Sequence, residues 1–280
     1  MKKIYEEITK KNSKTFYYST IFFPKEIKEK VFLLYAFLRT TDDLVDKKKP
    51  DFKKFYQYKK KFEDIYSGKK INDKLIYDFV KLVKEINAKN LIDDYFKSQK
   101  IDLKNKQYKT FKDLEKFLYG VSEVVGVLMA KILKLTKKSY PLARKLGKAM
   151  QIINIIRDIE EDYHMGKIYI PQEDFKKFNV KINNFFKAKN MCQNEKNLID
   201  FELQRAFDLY KEVKKGYRYF DKKNLLPIKI AADLYFILGK KIKKNKNFIF
   251  NKNKVKLSLI DIMYVVFKNI FLIYGLNKRN

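Results

Sequence analysis

Aspartates recur four residues apart in two segments of the chain. Residues 42–46 read Asp-Asp-Leu-Val-Asp, and residues 158–162 read Asp-Ile-Glu-Glu-Asp. On an α-helix this spacing puts two carboxylates on one face, where they repel each other unless a cation lies between them. Mg²⁺ is held in proteins by one or two carboxylates together with the phosphates of a substrate. The two segments therefore indicate metal-assisted chemistry on a diphosphate, although either pair alone fits a solvated helix face equally well.

The neighbouring residues favour the chemical interpretation. Residues 31–41 read Val-Phe-Leu-Leu-Tyr-Ala-Phe-Leu-Arg-Thr-Thr, which is too apolar for the outer face of a surface helix. The first acids should therefore continue a buried helix. Before the second acids, a polar stripe at helical spacing faces a wet cavity or a ligand more often than bulk solvent; it comprises Gln151, Asn154 or Ile155, Asp158 and Asp162.

An arginine stands shortly before each pair of acids, in a chain whose cations are mostly lysine. Arg39 and Arg157 offer planar guanidinium groups that suit a phosphate better than a lysine amine does. The alternative is that each arginine only pairs with the acids beside it.

These segments and several others resemble the squalene and phytoene synthases, the head-to-head class of isoprenyl diphosphate synthases. The resemblance extends over most of the chain and follows the same order of motifs. It is carried by Ser-Lys-Thr-Phe-Tyr-Tyr at 13–18, Phe-Pro at 23–24, Tyr-Ala-Phe-Leu-Arg at 35–39, the acids at 42–46, Tyr-Gly-Val-Ser-Glu-Val-Val-Gly at 119–126, Asn-Ile-Ile-Arg-Asp-Ile-Glu-Glu-Asp at 154–162, and Gly-Lys-Ile-Tyr-Ile-Pro at 166–171.

The resemblance implies a single all-α domain over residues 1–280, with helices around a central cavity and the two acidic segments facing each other at its mouth. Members of the family join two prenyl diphosphates through a cyclopropylcarbinyl diphosphate intermediate. Mg²⁺, or Mn²⁺ in its place, assists each ionisation. Phytoene from two geranylgeranyl diphosphates is the leading product. Squalene or dehydrosqualene from two farnesyl diphosphates is the alternative, and only squalene would require NADPH.

The resemblance also assigns roles to individual residues. The implied metal ligands are Asp42, Asp46, Asp158 and Asp162, with Asp43 and Glu161 as adjacent support. The residues expected to bind the diphosphate are Ser13, Lys14, Arg39 and Arg157. The remaining substrate-binding side chains are Phe16, Tyr35, Gln151, Asn154 and Tyr169. Tyr235 lies near the carbocation, which its aromatic face can stabilise. Together with Arg39, Arg157 and Tyr169, it forms the expected catalytic set.

Two positions depart from the family pattern. Phe117 stands where many members have a tyrosine, which calls into question any step that needs that hydroxyl. Lys167 replaces the arginine usual after the glycine, so it keeps the charge and loses the planar fork. Neither change indicates an inactive enzyme.

Composition agrees with a helical protein. Only eight glycines and five prolines interrupt 280 residues, and no alternating strand pattern persists. Pro24, Pro171 and Pro227 are expected to precede or open helices. From Pro227 onward, one helical face is expected to carry Ile230, Ala231, Leu234, Leu238 and Ile242. A single cysteine, Cys192, excludes an intrachain disulfide. His164, the single histidine, is expected at a surface or helix end.

The formal charge of +31 raises two further possibilities. Nucleic-acid binding is disfavoured because the lysines are scattered and no recognised nucleic-acid module is present. Peripheral contact with anionic lipid explains the positive charge better. A non-catalytic basic protein that binds membranes or nucleic acid is a remote alternative. Residues 257–274 are apolar but contain Asp261, Lys268 and Asn269, which predicts a packed or interfacial helix rather than a membrane span.

The N-terminus lacks the apolar core of a signal peptide. We therefore expect a cytoplasmic protein that touches the inner face of the membrane. The sequence sets no oligomeric state.

Overall fold

The computed structural model describes residues 2–46, 50–104, 107–187, 190–220, 222–247 and 255–275. These residues form helices and turns, with one isolated β-bridge between Gln107 and Ile168, which confirms the predicted all-α class. The α-helices within the described residues are α1 (Lys2–Asn12), α2 (Lys14–Thr20), α3 (Lys25–Val45), α4 (Phe52–Tyr66), α5 (Lys74–Glu85), α6 (Lys89–Lys104), α7 (Phe111–Leu118), α8 (Val124–Ile132), α9 (Tyr140–Arg157), α10 (Ile159–His164), α11 (Gln172–Lys177), α12 (Ile182–Phe185), α13 (Gln193–Lys215), α14 (Lys222–Lys244) and α15 (Leu259–Ile270).

Helix α3 is fixed by an aromatic cluster on one of its faces. Phe37 stacks on Phe79 of α5 with ring centroids 3.7 Å apart, and it also contacts Phe62 of α4 and Phe96 of α6. All four rings are buried. Because this face is committed to the core, the face that carries Tyr35, Arg39 and Asp42 is directed toward the interior cavity described below.

Helix α9 occupies the centre of the bundle and packs against α8, α13 and α14. The contact of α9 with α8 and with the residues just before α8 depends on two glycines. A Cβ at Gly126 would collide with the carbonyl oxygen of Ala143, and a Cβ at Gly147 would collide with that of Ser122. The two backbones therefore touch, in antiparallel order, and this close contact builds one wall of the cavity.

A π-helical turn, Tyr119–Glu123, joins α7 to α8. It also packs against α6 and α9, so it belongs to the same wall. Such turns are rare and occur frequently beside functional sites. The segment coincides with one of the motifs that carry the family resemblance.

The prolines only partly follow the sequence prediction. Pro24 and Pro171 precede α3 and α11 as N-cap residues, as predicted. Pro227 instead lies inside α14, so the expectation that it precedes or opens a helix was wrong. The predicted face of α14 is confirmed at Ile230, Leu234, Leu238 and Ile242, all of which are buried.

Helix α15 covers α14 at the C-terminal end of the described chain. Ile262, Val265 and Asn269 are buried against its partner, while the opposite side of α15 is exposed. None of the helices in the described ranges is long and apolar enough to traverse a bilayer. Of the two predicted alternatives, a packed or an interfacial helix, packing describes the buried face of α15.

Candidate active site

A cavity of about 710 Å³ lies between α2, α3, α8, α9, α14 and the start of α15. The residues of helix α9 that line the cavity change from apolar to polar along the helix. Leu142, Leu146 and Met150 line one part, and Asn154 and Asp158 line the other. From Leu142 to Asp158 the helix rises roughly 24 Å. The cavity is therefore a long apolar space with one polar end.

The first acidic segment lies at this polar end. Helix α3 ends at Val45, and the backbone N–H of Asp46 donates to the carbonyl oxygen of Asp42 at 2.7 Å. The Asp42 carboxylate accepts hydrogen bonds from Tyr95 Oη at 3.0 Å and from Gln99 Nε2 at 2.6 Å. Burial, followed by repulsion from Asp46, raises the pKa of Asp42 to about 7 despite these hydrogen bonds. This carboxyl is placed where a bound cation would favour its charged form.

The second acidic segment interrupts the helix that the sequence predicts to be continuous. Helix α9 ends at Arg157 and α10 begins at Ile159, with Asp158 between them at φ −100° and ψ 8°. The N–H of Asp162 still donates to the carbonyl oxygen of Asp158 at 2.9 Å, so the four-residue relationship survives. Burial raises the pKa of Asp162 well above its usual value, and the charges of Asp158 and Asp46 add to that rise.

The two segments face each other. The charge of Asp46 acts on Asp162, and Lys167 reaches both sides of the mouth. Its Nζ lies 3.1 Å from Asp46 Oδ1 and forms an ion pair with the buried Asp102. The lysine that replaces the family arginine thus retains a place between the acidic segments.

Asp102 was missed at the sequence level. It is 2% exposed, and besides Lys167 it accepts hydrogen bonds from Tyr169 Oη at 3.1 Å and from Tyr108 Oη at 3.3 Å. Burial raises the pKa of Asp102 while Lys167 opposes the rise. A signal was available, because Tyr95, Gln99 and Asp102 follow one another at helical spacing on α6.

Phe117 packs into the same cluster. Its ring stacks on Tyr169 with centroids 5.4 Å apart and on Tyr108 with centroids 5.9 Å apart. The position where many family members have a hydroxyl therefore supplies only an aromatic surface in this chain. The neighbouring hydroxyls of Tyr108 and Tyr169 are both directed at Asp102.

Both arginines pair with adjacent acids. Arg39 Nη2 lies 2.5 Å from Asp43 Oδ1, and Arg157 binds Asp158 with two nitrogens at 2.9 and 2.5 Å. Burial disfavours the charge on each guanidinium, but these hydrogen bonds overcome it and raise both pKa values. Both arginines nevertheless line the cavity, and the buried Nε of Arg39 has no hydrogen-bond partner within the described part of the chain.

Aromatic side chains surround the transition from polar to apolar lining. Phe16 stacks on Tyr35 with centroids 5.2 Å apart. Tyr235 is buried and lies close enough to Tyr35 and Arg157 to influence both pKa values. Burial, with a smaller contribution from Tyr235, raises the pKa of Tyr35 above its usual value.

The predicted site residues converge on this cavity. Ser13 is the N-cap of α2 and accepts a hydrogen bond from the Phe16 N–H at 3.3 Å, and the exposed Lys14 follows it. The cavity is lined by Ser13, Lys14, Phe16, Tyr35, Arg39, Asp42, Asp46, Gln151, Asn154, Arg157, Asp158, Asp162, Tyr169 and Tyr235. Asp43 and Glu161 are exposed and do not line it. His164 is also exposed, as predicted.

The polar end of the cavity has oxygen ligands for a hard cation and cationic groups for an anion bridged to it. Among the residues that the structure describes, no three His, Cys, Asp or Glu side chains group closely enough to hold a metal alone. Mg²⁺ does not need such a cage when substrate phosphates complete its coordination. The buried Oδ1 of Asn154 and Nε of Arg39 lack partners among the described residues, which leaves an acceptor and a donor for a ligand. The residues therefore fit a metal and diphosphate bound together.

An all-α bundle around a deep apolar cavity, with carboxylates and arginines at its polar end, defines an isoprenoid synthase. The family model described as squalene/phytoene synthase matches residues 9–261, and the chain belongs to this family of prenyltransferases. Its members carry out head-to-head condensation of isoprenyl diphosphates.

Named relatives agree with that assignment. The chain is 27% identical over 270 residues to 15-cis-phytoene synthase of Synechococcus elongatus, covering 89% of this chain and 86% of the relative. It is 28% identical to the chloroplastic phytoene synthase of Daucus carota, covering 82% of this chain and 60% of the relative. Among solved structures, a ligand-bound dehydrosqualene synthase is 29% identical and superposes with a TM-score of 0.87, covering 100% of this chain and 97% of the other.

Proposed function

We propose that this chain is a Mg²⁺-dependent phytoene synthase that condenses two geranylgeranyl diphosphates head to head. The observation that carries the proposal is the pair of acidic segments facing each other at the polar end of a deep apolar cavity. The curated phytoene synthases, which match over most of the chain, support the choice of product. We also propose that residues 1–280 work as one domain.

In this proposal, Asp42, Asp46, Asp158 and Asp162 hold the metal ions, and Asp43 and Glu161 support them from outside the cavity. Bound Mg²⁺ would neutralise the diphosphate as it leaves. Arg39, Arg157, Ser13 and Lys14 would bind and orient the phosphate oxygens, for which the unpartnered Nε of Arg39 is available. Gln151, Asn154 and Tyr169 would complete the polar end.

The apolar part of the cavity would hold the prenyl chains and exclude water. Phe16, Tyr35 and Tyr235 surround the point where a carbocation would form after the diphosphate departs. Their aromatic faces would stabilise the positive charge and would not capture it as a water molecule would. In this proposal the diphosphate would ionise at the polar end, and the carbon–carbon bond would form beside the aromatic side chains.

Dehydrosqualene from two farnesyl diphosphates is the second candidate. It is favoured by the likeness to the dehydrosqualene synthase structure over the whole chain. Squalene would additionally require NADPH. We further propose a cytoplasmic enzyme that contacts the inner membrane surface and does not bind nucleic acid.

The test is to incubate the purified protein with Mg²⁺ and either geranylgeranyl or farnesyl diphosphate, with and without NADPH, and to identify the hydrocarbons by mass spectrometry. A C40 product formed without NADPH is expected. A C30 product would replace phytoene with squalene or dehydrosqualene, and absence of product from both substrates would overturn the proposal.

Acid variants test the metal ligands in the same assay. Asp42→Asn and Asp158→Asn should each lower turnover by roughly two or more orders of magnitude while helical circular dichroism is retained. Asp208→Asn is the matched control, because Asp208 is exposed on α13 and accepts a hydrogen bond from Gln204 of the same helix. Wild-type turnover in either site variant would remove the ligand assignment.

A further inference from the structure

Helix α15 has one buried face and one open face. On the buried side, Ile262 and Val265 pack with Leu226, Ile230 and Leu234 of α14 in a small hydrophobic cluster. These contacts fix the helix to the bundle. The opposite side therefore holds a fixed orientation toward the surroundings.

The open face is strongly apolar. Its exposed fractions reach 79% for Ile260, 63% for Phe267 and 67% for Phe271. These positions recur at helical spacing, and the following π-helical turn, Phe271–Gly275, extends the same side. We call this surface the α15 outer face; it comprises Leu259, Ile260, Met263, Tyr264, Phe267 and Phe271. Contiguous apolar surface of this kind marks a site of interaction with a protein or a membrane.

No free acid lies on this surface in the described residues 255–275. The single acid there is Asp261, whose carboxylate is bound by Lys241 Nζ at 2.5 Å and by the N-cap Ser258 at 2.6 Å. The outer face therefore presents apolar and aromatic groups without local negative charge.

Cations border the outer face. Lys256 is exposed just before the helix. Lys268 lies on the helix beside the outer face, and its Nζ is 3.7 Å from Oδ2 of Asp233, which partly balances its charge. Burial lowers the pKa of the nearby Lys229; the charge of Asp233 opposes this, and the positive charges of Lys268 and Lys214 add to it. The chain as a whole carries a formal charge of +31. This border complements an anionic surface.

A second copy of the chain fits the face less well. A two-fold interface places the same residues on both sides, so it would bring the bordering lysines of two copies together. An anionic bilayer instead offers phosphate groups at the level of the lysines and hydrocarbon at the level of the aromatic rings.

We propose that the α15 outer face docks on the surface of an anionic lipid bilayer, with the helix lying in the membrane plane. Ile260, Met263, Tyr264, Phe267 and Phe271 enter the headgroup and upper acyl region. Lys256 and Lys268 contact lipid phosphates. This surface depends on no catalytic residue.

The docked helix also connects the membrane with the cavity. Val255, Leu257 and Ile262, which lie in or beside α15, line the apolar part of the cavity. Docking therefore brings that part of the cavity beside the bilayer, where an apolar product can pass into lipid. This second consequence rests on the proposed function, whereas docking itself does not.

The experiment measures cosedimentation of the full chain with vesicles. One set contains equal parts of phosphatidylcholine and phosphatidylglycerol, and the other contains phosphatidylcholine alone. The test variant is Phe267→Ser with Phe271→Ser. The matched control is Phe52→Ser with Tyr77→Ser, which removes two aromatic rings of 45% and 47% exposure from α4 and α5.

The wild type and the control are expected to bind anionic vesicles and to bind neutral ones more weakly. The test variant should lose affinity by about tenfold or more. Equal binding by the test variant, or no binding by the wild type, would overturn the proposal. A wild-type dimer that the test variant converts to a monomer in light scattering would assign the face to a second copy instead.

Condensation activity in detergent distinguishes this proposal from the proposed function. The test variant should keep wild-type turnover there, because neither substituted ring lines the cavity. Transfer of product into anionic vesicles should be slower for the test variant. If no substrate is converted but vesicle binding follows the expected pattern, the proposed function fails and the docking surface stands.

Discussion

Lys167 and Asp46 form an ion pair of 3.1 Å between segments 121 residues apart in sequence. The same amine also pairs with Asp102, whose side chain is almost completely buried. The positive charge of Lys167 therefore balances Asp46, and it also opposes the rise that burial causes in the pKa of Asp162 in the second acidic segment. It also gives the buried Asp102 its positive partner, which ties α6 to the loop after α10.

Lys167→Met should destabilise the protein by about 3 kcal/mol, because it leaves the Asp102 carboxylate buried without its counter-charge. Urea unfolding followed by circular dichroism measures the change. Adding Asp102→Leu to Lys167→Met should recover most of the loss. Lys97→Met, which removes a lysine from an exposed pair with Asp94, is the control and should leave the unfolding midpoint unchanged. A Lys167→Met protein as stable as the wild type would contradict the importance of the pair.

Mg²⁺ and inorganic diphosphate together should raise the melting temperature by about 5 °C, more than either raises it alone. The carboxylates at the mouth leave metal coordination sites open, and diphosphate fills them. Differential scanning fluorimetry at pH 8 measures the shift. Asp42→Asn with Asp158→Asn should lose it and Asp208→Asn should keep it; an unchanged shift in the double variant would place the metal elsewhere.

Asp42→Asn should also stabilise the ligand-free protein at pH 8. The pKa of Asp42 is raised to about 7, so folding at pH 8 holds a charged carboxylate in a site that disfavours its charge. A neutral amide removes that cost. Thermal unfolding at pH 8 and pH 5 measures the effect, which should be small at pH 5, where the folded-state carboxyl is already protonated. Equal effects at both pH values would contradict this explanation.

Val125→Phe should shift substrate preference from the longer to the shorter prenyl diphosphate. Val125 projects into the cavity from α8, between the polar end and Leu133. A larger ring there shortens the space for hydrocarbon. The ratio of kcat/KM for geranylgeranyl over farnesyl diphosphate should fall by about tenfold. Val125→Ile is the control and should change the ratio little; an unchanged ratio in Val125→Phe would show that this wall does not set chain length.

The free energy of unfolding should fall as pH rises from about 4.5 to about 8, in part because of Glu202. Burial raises the pKa of Glu202 to about 8, with Arg205 opposing and the neighbouring Asp174 adding to the rise. A carboxyl that binds its proton more tightly when folded stabilises the fold below its unfolded-state pKa and loses that stabilisation as it ionises.

Urea midpoints at pH 5, 6.5 and 8 measure this dependence. Glu202→Gln should flatten it, because the amide keeps the hydrogen-bonding shape without ionising. Glu7→Gln is the control, since Glu7 is exposed on α1 and the variant should leave the slope unchanged. An equally steep slope in Glu202→Gln would assign the dependence to other groups.

The sequence predicted the local features that depend on one segment. The apolar run before Asp42 forms helix α3, of which one side lines the cavity, and the polar stripe from Gln151 to Asp162 lines it as well. Asp102 was missed because its importance comes from partners 6 to 67 residues away, including Tyr108 and Tyr169. Spacing within α6 places Asp102 in line with Tyr95 and Gln99, but it does not identify these distant partners.

Other differences have the same origin. The break at Asp158 leaves the four-residue hydrogen bond intact, so the sequence pattern of a continuous helix is preserved across it. Pro227 occurs inside α14, where tertiary packing of Ile230 and Leu234 outweighs the local preference against an internal proline. The sequence left open whether α15 is packed or interfacial, because an apolar helix has the same composition whether its second face is covered or open.

The glycine contacts between α8 and α9 have an evolutionary consequence. Because Gly126 and Gly147 fix the spacing of the two helices through their backbones, side chains such as Val125 and Leu146 can change size without moving the wall. The acidic mouth and the depth of the cavity are therefore formed by different residues. Under the proposed function, single substitutions along the apolar wall would change the length of the prenyl chain that fits, while the acidic segments stay as they are.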